Sequence, residues 1–170
     1  MMRPARALAI LAFFFAPSCL AQGNDAAVKE MARIQAESVA KHPVGAWIKA
    51  KDGKGQALSI TVTEKTQGKD GWTVTTSLVS TPVGGKPGAP VKATTVQGSA
   101  AGLAKAGGAA PQTMVDETLT IAGKALACKV FTTKNGQKLW LSSEVPGGGA
   151  VKVLGPKGQV QMTVESYGDK

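Results

Sequence analysis

His42 is the one histidine in the chain. A catalytic histidine needs a nucleophile to activate and a carboxylate to orient it. The sequence nominates neither. His42 precedes Pro43 at the end of a helical pattern, where a positive side chain suits the helix's last carbonyls. One histidine with Cys19 and Cys128 cannot fill a zinc shell, so no metal or cofactor is expected. Asp116 and Glu117 are adjacent carboxylates, but neighbours in a strand point to opposite faces and cannot act as a pair. Glu117 then shares a face with Val115 and Leu119, as a strand-edge residue, a satisfied core carboxylate or a polar group in a ligand cavity. Gly147-Gly148-Gly149 lacks the lysine and the following helix of a phosphate loop and reads as a flexible turn. These residue types give no catalytic constellation, so the expectation is a protein that is not an enzyme. Trp47, Trp72 and Trp140 remain. Such side chains fill cores or line apolar clefts. With Met114 and Met162 they are the candidate lining residues for an apolar ligand.

The first 21 residues read as an address. Arg3 and Arg6 form a positive start, Ala7 to Phe15 is unbroken apolar sequence, and small residues follow to Ala21. The apolar run is too short to span a bilayer, which needs about 20 residues. Two readings of the cut site stand. Cleavage after Ala21 releases a soluble exported protein into the periplasm or outside the cell. Alternatively Cys19, preceded by the small Ser18, carries lipid and anchors the chain, although Ala16 and Pro17 depart from the usual lipid-attachment pattern.

Cleavage after Ala21 leaves 149 of the 170 residues, enough for one domain with a real core, 22–170. Cys128 is then the sole cysteine and alternates with Leu126 and Val130, which predicts burial. The formal charge of +9 falls to about +7 with Arg3 and Arg6 gone, and Arg33 is the one arginine left. The lysines are scattered, with neither the arginine forks nor the clustered aromatics of nucleic-acid readers. No nucleic-acid partner is expected; lipid or another anionic envelope component fits the charge.

The elements that must position these residues are legible in the periodicity. Residues 25–41 predict one amphipathic helix, capped by Asn24 or Asp25, with Val28, Met31, Ile34 and Val39 near one face. Lys29, Arg33, Glu37 and Lys41 recur on the other face, and Pro43 and Gly45 end the helix. From Trp47 onward the period is two: Leu58, Ile60, Val62; Trp72, Val74, Thr76, Leu78; Val115, Leu119, Ile121; Leu126, Cys128, Val130; Val160, Met162, Val164. Turn signals separate them, Asn135-Gly136 the strongest. Trp140 stands on the opposite face from Leu139 and Leu141, which demands cover on both sides. The expected fold is mainly β (α+β): an antiparallel curved sheet or half-barrel of about eight strands with the N-terminal helix packed on it. Residues 82–112 interrupt the pattern, and the Gly/Ala-rich 98–112 stretch predicts a flexible loop.

Glu117 to Lys124, Cys128 to Phe131 and Leu139 to Gly148, with its Val145-Pro146-Gly147-Gly148 turn, resemble a recurring C-terminal pattern in uncharacterised exported bacterial proteins. The order of a leading helix and then a meander is similar to the outer-membrane lipoprotein carrier family and related half-barrels. That resemblance implies an incomplete barrel whose apolar concave face holds acyl chains. It carries over no ligand residue, because its motifs are turns. The expectation is therefore an exported binding or carrier module for an apolar ligand, lipid by that resemblance. The alternative is a structural or interaction protein of the envelope with no small-molecule ligand.

Overall fold

The computed structural model describes residues 24–105 and 110–170. The expected signal segment 1–21, with Cys19, lies outside the described residues. Helix α1 spans Asp25–Lys41, as its spacing predicts. The Asn24 side chain accepts the Ala26 N–H at 3.0 Å and so caps the free end. Arg33 bridges Glu30 at 2.8 Å and also Glu37 on the solvent side. Ala27, Met31, Ile34 and Val39 are buried on the other.

Nine strands follow: β1 (Trp47–Asp52), β2 (Ala57–Gly68), β3 (Gly71–Thr81), β4 (Val91–Gln97), β5 (Pro111–Ile121), β6 (Lys124–Thr133), β7 (Lys138–Leu141), β8 (Ala150–Leu154) and β9 (Val160–Gly168). A short helix, α2 (Ala100–Lys105), lies between β4 and β5. The strands form one sheet in the order β4-β3-β2-β1-β9-β8-β7-β6-β5, antiparallel throughout. Two meanders, β1–β4 and β5–β9, are thus sewn together where β1 pairs with β9. Register shifts at Lys49/Ala50, Val62/Glu64 and Trp140/Leu141 interrupt the ladders. Extra residues of this kind bend a sheet, and this one curls into a half-barrel with α1 packed on it.

Against the expected eight or so, the described residues form nine strands, and β4 is the one the periodicity did not mark. Its residues pair with β3 from Leu78↔Val91 to Trp72↔Gln97. As an edge strand it buries only Gln97, so it has no need of the strong apolar alternation that marks the other strands. The expected loop 98–112 is likewise narrower: α2 occupies its first half and β5 starts at Pro111. Leu103, the lone large apolar residue of that stretch, packs against the main core. Ser99 links the segment to the body by donating to the Asp70 carbonyl.

The concave face carries Ile48, Ala50, Leu58, Ile60, Val62, Leu78, Phe131, Leu139, Val153, Met162 and Val164, all buried. Helix α1 crosses it and touches β3, β4, β5 and β7. The β7–β8 loop fills the rest. Gly147, Gly148 and Gly149 in that loop all have positive φ, of 70°, 104° and 81°. A Cβ on Gly148 would stand 2.0 Å from Gln97 Oε1, so the loop's close approach requires glycine. Ser38 ties helix to loop, donating to the Val145 carbonyl at 2.6 Å and accepting from the Gly148 N–H at 3.1 Å. In β7, Leu139, Trp140 and Leu141 are all buried, so that strand does have cover on both faces.

Ser38→Ala leaves a carbonyl and an N–H unpaired in a dry site. The variant is expected to lose about 2 kcal/mol of stability, measured as a lower urea midpoint at unchanged slope. A midpoint equal to the parent's would show that this clasp contributes nothing.

Candidate functional site

The two ends of α1 are fastened very differently. At the C-terminal end, Lys65 on β2 donates to the carbonyls of Val39 at 2.8 Å and His42 at 2.7 Å. Its positive charge meets the negative end of the helix dipole. Lys41 pairs with Glu144 at 2.6 Å. His42, the C-cap, places Nδ1 2.7 Å from Asp169 Oδ1 and Nε2 3.2 Å from the Ser143 carbonyl. With Ser38, these contacts lock the last turns of α1 to β2, to the β7–β8 loop and to the chain's C-terminal tail. At the other end the helix start is held by the Asn24 N–H donating to the Pro111 carbonyl at 3.0 Å. Midway, Gln35 Oε1 accepts the Gly98 N–H at 3.3 Å. Between these, Ala27, Met31 and Ile34 are held by apolar packing against the main core.

His42 thus has the neighbouring carboxylate that a catalytic histidine needs. Its second nitrogen, however, faces a backbone carbonyl, which is no nucleophile, and the ring is 7% exposed. The arrangement is a clamp. Asp116 is salt-bridged to Lys129 at 2.7 Å, and Glu117 is exposed on the edge strand β5, the first of its three sequence readings. Among the described residues no group of His, Cys, Asp and Glu is arranged to hold a metal. None of the described helices is long and apolar enough to cross a membrane.

The candidate lining residues separate. Register runs Lys51↔Thr163, Thr163↔Lys152 and Lys152↔Trp140, so Trp140 shares the outer face of the sheet with Lys51 and, along β1, with Lys49 and Trp47. Trp47 is half-buried there beside Gly168, with Lys49 Nζ 5.5 Å from its ring centroid. Lys152 Nζ lies 4.9 Å from the ring of Trp140, which is 5% exposed. Trp72 belongs to the concave side, where it packs on Val39, Val62 and Val74 under Lys65. Met162 is buried in the main core and Met114 is half-buried against it. Of the five, Trp72, Met114 and Met162 line the concave side; Trp47 and Trp140 face outward.

One cluster was not singled out in the sequence. Thr76 on β3, Gln97 on β4, and Gln35 and Ser38 on α1 are buried polar residues, and Gln97 and Ser38 both lie against Gly148 of the β7–β8 loop. Gln97 Nε2 donates to Thr95 Oγ1 at 2.8 Å and to the Gly147 carbonyl at 3.3 Å. Thr76 Oγ1 and Gln97 Oε1 have no hydrogen-bond partner among the described residues. An unpaired polar atom in a dry interior costs about 1–3 kcal/mol. The sequence held a partial signal, since Thr76 occupies an apolar-face position of its strand. Gln97 sat in the stretch with no readable period.

No protein-family profile matches the chain, and no curated protein matches it in sequence. Solved structures with a similar course of chain include a Bacteroides fragilis protein named as exported with a YmcC-like fold, 12% identical, TM-score 0.47, over 75% of this chain and 97% of that one. Another is a Parabacteroides distasonis protein named as a lipoprotein, 13% identical, TM-score 0.41, over 72% and 94%. A third is MucB in complex with MucA(peri), 17% identical, TM-score 0.40, over 85% of this chain and 55% of that one. None of these likenesses brings a ligand or a partner to this chain. The half-barrel stands on the sheet itself, and the resemblance to the carrier family gains no family match.

Cys128 is buried, and burial first, then the nearby Glu117 charge, push its thiol up to about 11. The thiolate is the reactive form, so below that pH little of it exists. Iodoacetamide labelling of the folded protein at neutral pH is expected to be at least about 100-fold slower than that of a free cysteine. The rate should climb steeply toward pH 11. Labelling as fast as free cysteine at neutral pH would contradict the burial.

Proposed function

We propose that this chain is an exported, non-enzymatic module of the bacterial envelope that binds an apolar ligand, a lipid, between its concave sheet face and α1. One observation carries the reading. The apolar concave face is covered by a single amphipathic helix whose C-terminal end is clamped by Ser38, Lys41, His42 and Lys65, while Ala27, Met31 and Ile34 are held by packing. Such a cover hinges at one end. An acyl chain that replaces its apolar contacts regains about 0.8 kcal/mol per buried CH2, so helix and ligand compete for the same surface. Trp72, Met114 and Met162 are the proposed lining residues.

A second reading has its own support on the other side of the sheet. Lys49, Lys51 and Lys152 lie together there with Trp47, and Glu165 is salt-bridged to Lys51 at 2.5 Å. A basic face of this kind suits contact with anionic envelope components without any internal ligand.

Native mass spectrometry of the mature protein from its own host separates the two. A mass that includes a dissociable lipid is expected. A bare mass, together with salt-sensitive binding to anionic vesicles, would overturn the carrier reading in favour of the surface one.

A further inference from the structure

The concave side is mostly apolar; apart from Lys65, which is bound to the last carbonyls of α1, its buried polar side chains have a definite chemistry. Register sets Thr76 opposite Val62, and a Cβ on Gly147 would lie 3.7 Å from Val62 Cγ2. Gln97 reaches the same loop through its bond to the Gly147 carbonyl at 3.3 Å. Thr76 and Gln97 therefore stand on the same face of the sheet, four register positions apart, on the side where Gln97 and Val62 meet the β7–β8 loop, and they are 4% and 7% exposed. Ser38 and Gln35, their buried polar neighbours on α1, already have partners. Of the unpartnered buried side-chain atoms among the described residues, Trp140 Nε1 and Gln161 Oε1 belong to the outer face, and Thr76 Oγ1 and Gln97 Oε1 to this one.

Both are acceptors, and Thr76 can donate as well. What completes them is a group bearing O–H or N–H. The hydrogen bonds of Thr95, Gln97, Gln35 and Ser38 run to neutral side chains and to backbone groups. An anionic head has no hydrogen to donate to two acceptor oxygens, and Lys65, the cation beside Trp72 on this face, already gives hydrogen bonds to the carbonyls of Val39 and His42. An uncharged hydroxyl or amide head loses only water bonds that these two oxygens can return.

We propose that Thr76 and Gln97 form a head-group site for an amphipathic ligand with an uncharged, hydrogen-bond-donating head, whose chain runs along the concave face. The inference rests on the carrier reading and specifies its ligand class. The site excludes fatty-acid anions and phospholipid phosphates and admits acylated hydroxyl or amide compounds.

The test is competition binding to the mature protein with three probes of equal chain: monoolein, methyl oleate and oleate. Monoolein is expected to bind about tenfold tighter than either of the others. Thr76→Val with Gln97→Met should erase that preference. Far-ultraviolet circular dichroism and the melting temperature check that the variant folds. Equal binding of all three probes, or a preference that survives the double substitution, overturns the head-group site and leaves the carrier reading intact. Equal loss of every probe in a folded variant also overturns it, since the cluster is then structural only. Binding of none by the parent protein overturns the carrier reading and this inference with it.

Discussion

An apolar sheet face cannot stay in water, and in this chain α1 covers it. Leu58, Ile60, Val62, Leu78, Met162 and Val164 point to one side of the sheet because side chains alternate along a strand. Met31, Ile34 and Val39 point to one side of α1 because the helix repeats every 3.6 residues. Each surface alone is unstable in water, and their union buries both. The remaining features are consequences. The register shifts let the sheet curl around a helix, and the β7–β8 loop enters the concavity to fill what the helix leaves.

The polar contacts then decide how firmly the cover sits. Lys65, bound to two carbonyls at the helix end, satisfies groups that no further helical turn can satisfy. His42 is held between Asp169 and the Ser143 carbonyl, and Ser38 between Val145 and Gly148. All of these gather at one end of α1. The other half is held by the Asn24 N–H on the Pro111 carbonyl and, for the rest, by non-directional apolar contact, which breaks without stranding a buried charge. The asymmetry is a property of where the polar side chains fall along seventeen residues of helix.

The two faces of the sheet differ in kind. The inner face is mostly apolar, with Lys65 at the helix end and the buried neutral polar side chains of Thr76 and Gln97. The outer face pairs tryptophans with lysines, Trp47 with Lys49 and Trp140 with Lys152. A lysine stem covers an aromatic ring while its ammonium stays in water. In this way Trp140 is buried on the side of the sheet away from α1.

Much of this fold was legible in the sequence because it is local. The helix at 25–41 and its Asn24 cap, the alternating strands, and the need for cover on both faces around Trp140 follow from the spacing of residues a few positions apart. Strand β4 was not legible, because an edge strand buries too little to impose a pattern. The pairing of β1 with β9 was not legible either, since hairpin order says nothing about which strands close the middle of the sheet. The site was decided by tertiary structure alone. His42 and Asp169 are separated by 127 positions, Ser38 and Gly148 by 110, and Gln97 and Gly147 by 50. No periodicity links such residues. Their contact exists only because burial of the helix on the curled sheet brings their elements together, and a polar group carried inside is then either paired, as Ser38 is, or left without a partner, as Thr76 Oγ1 and Gln97 Oε1 are.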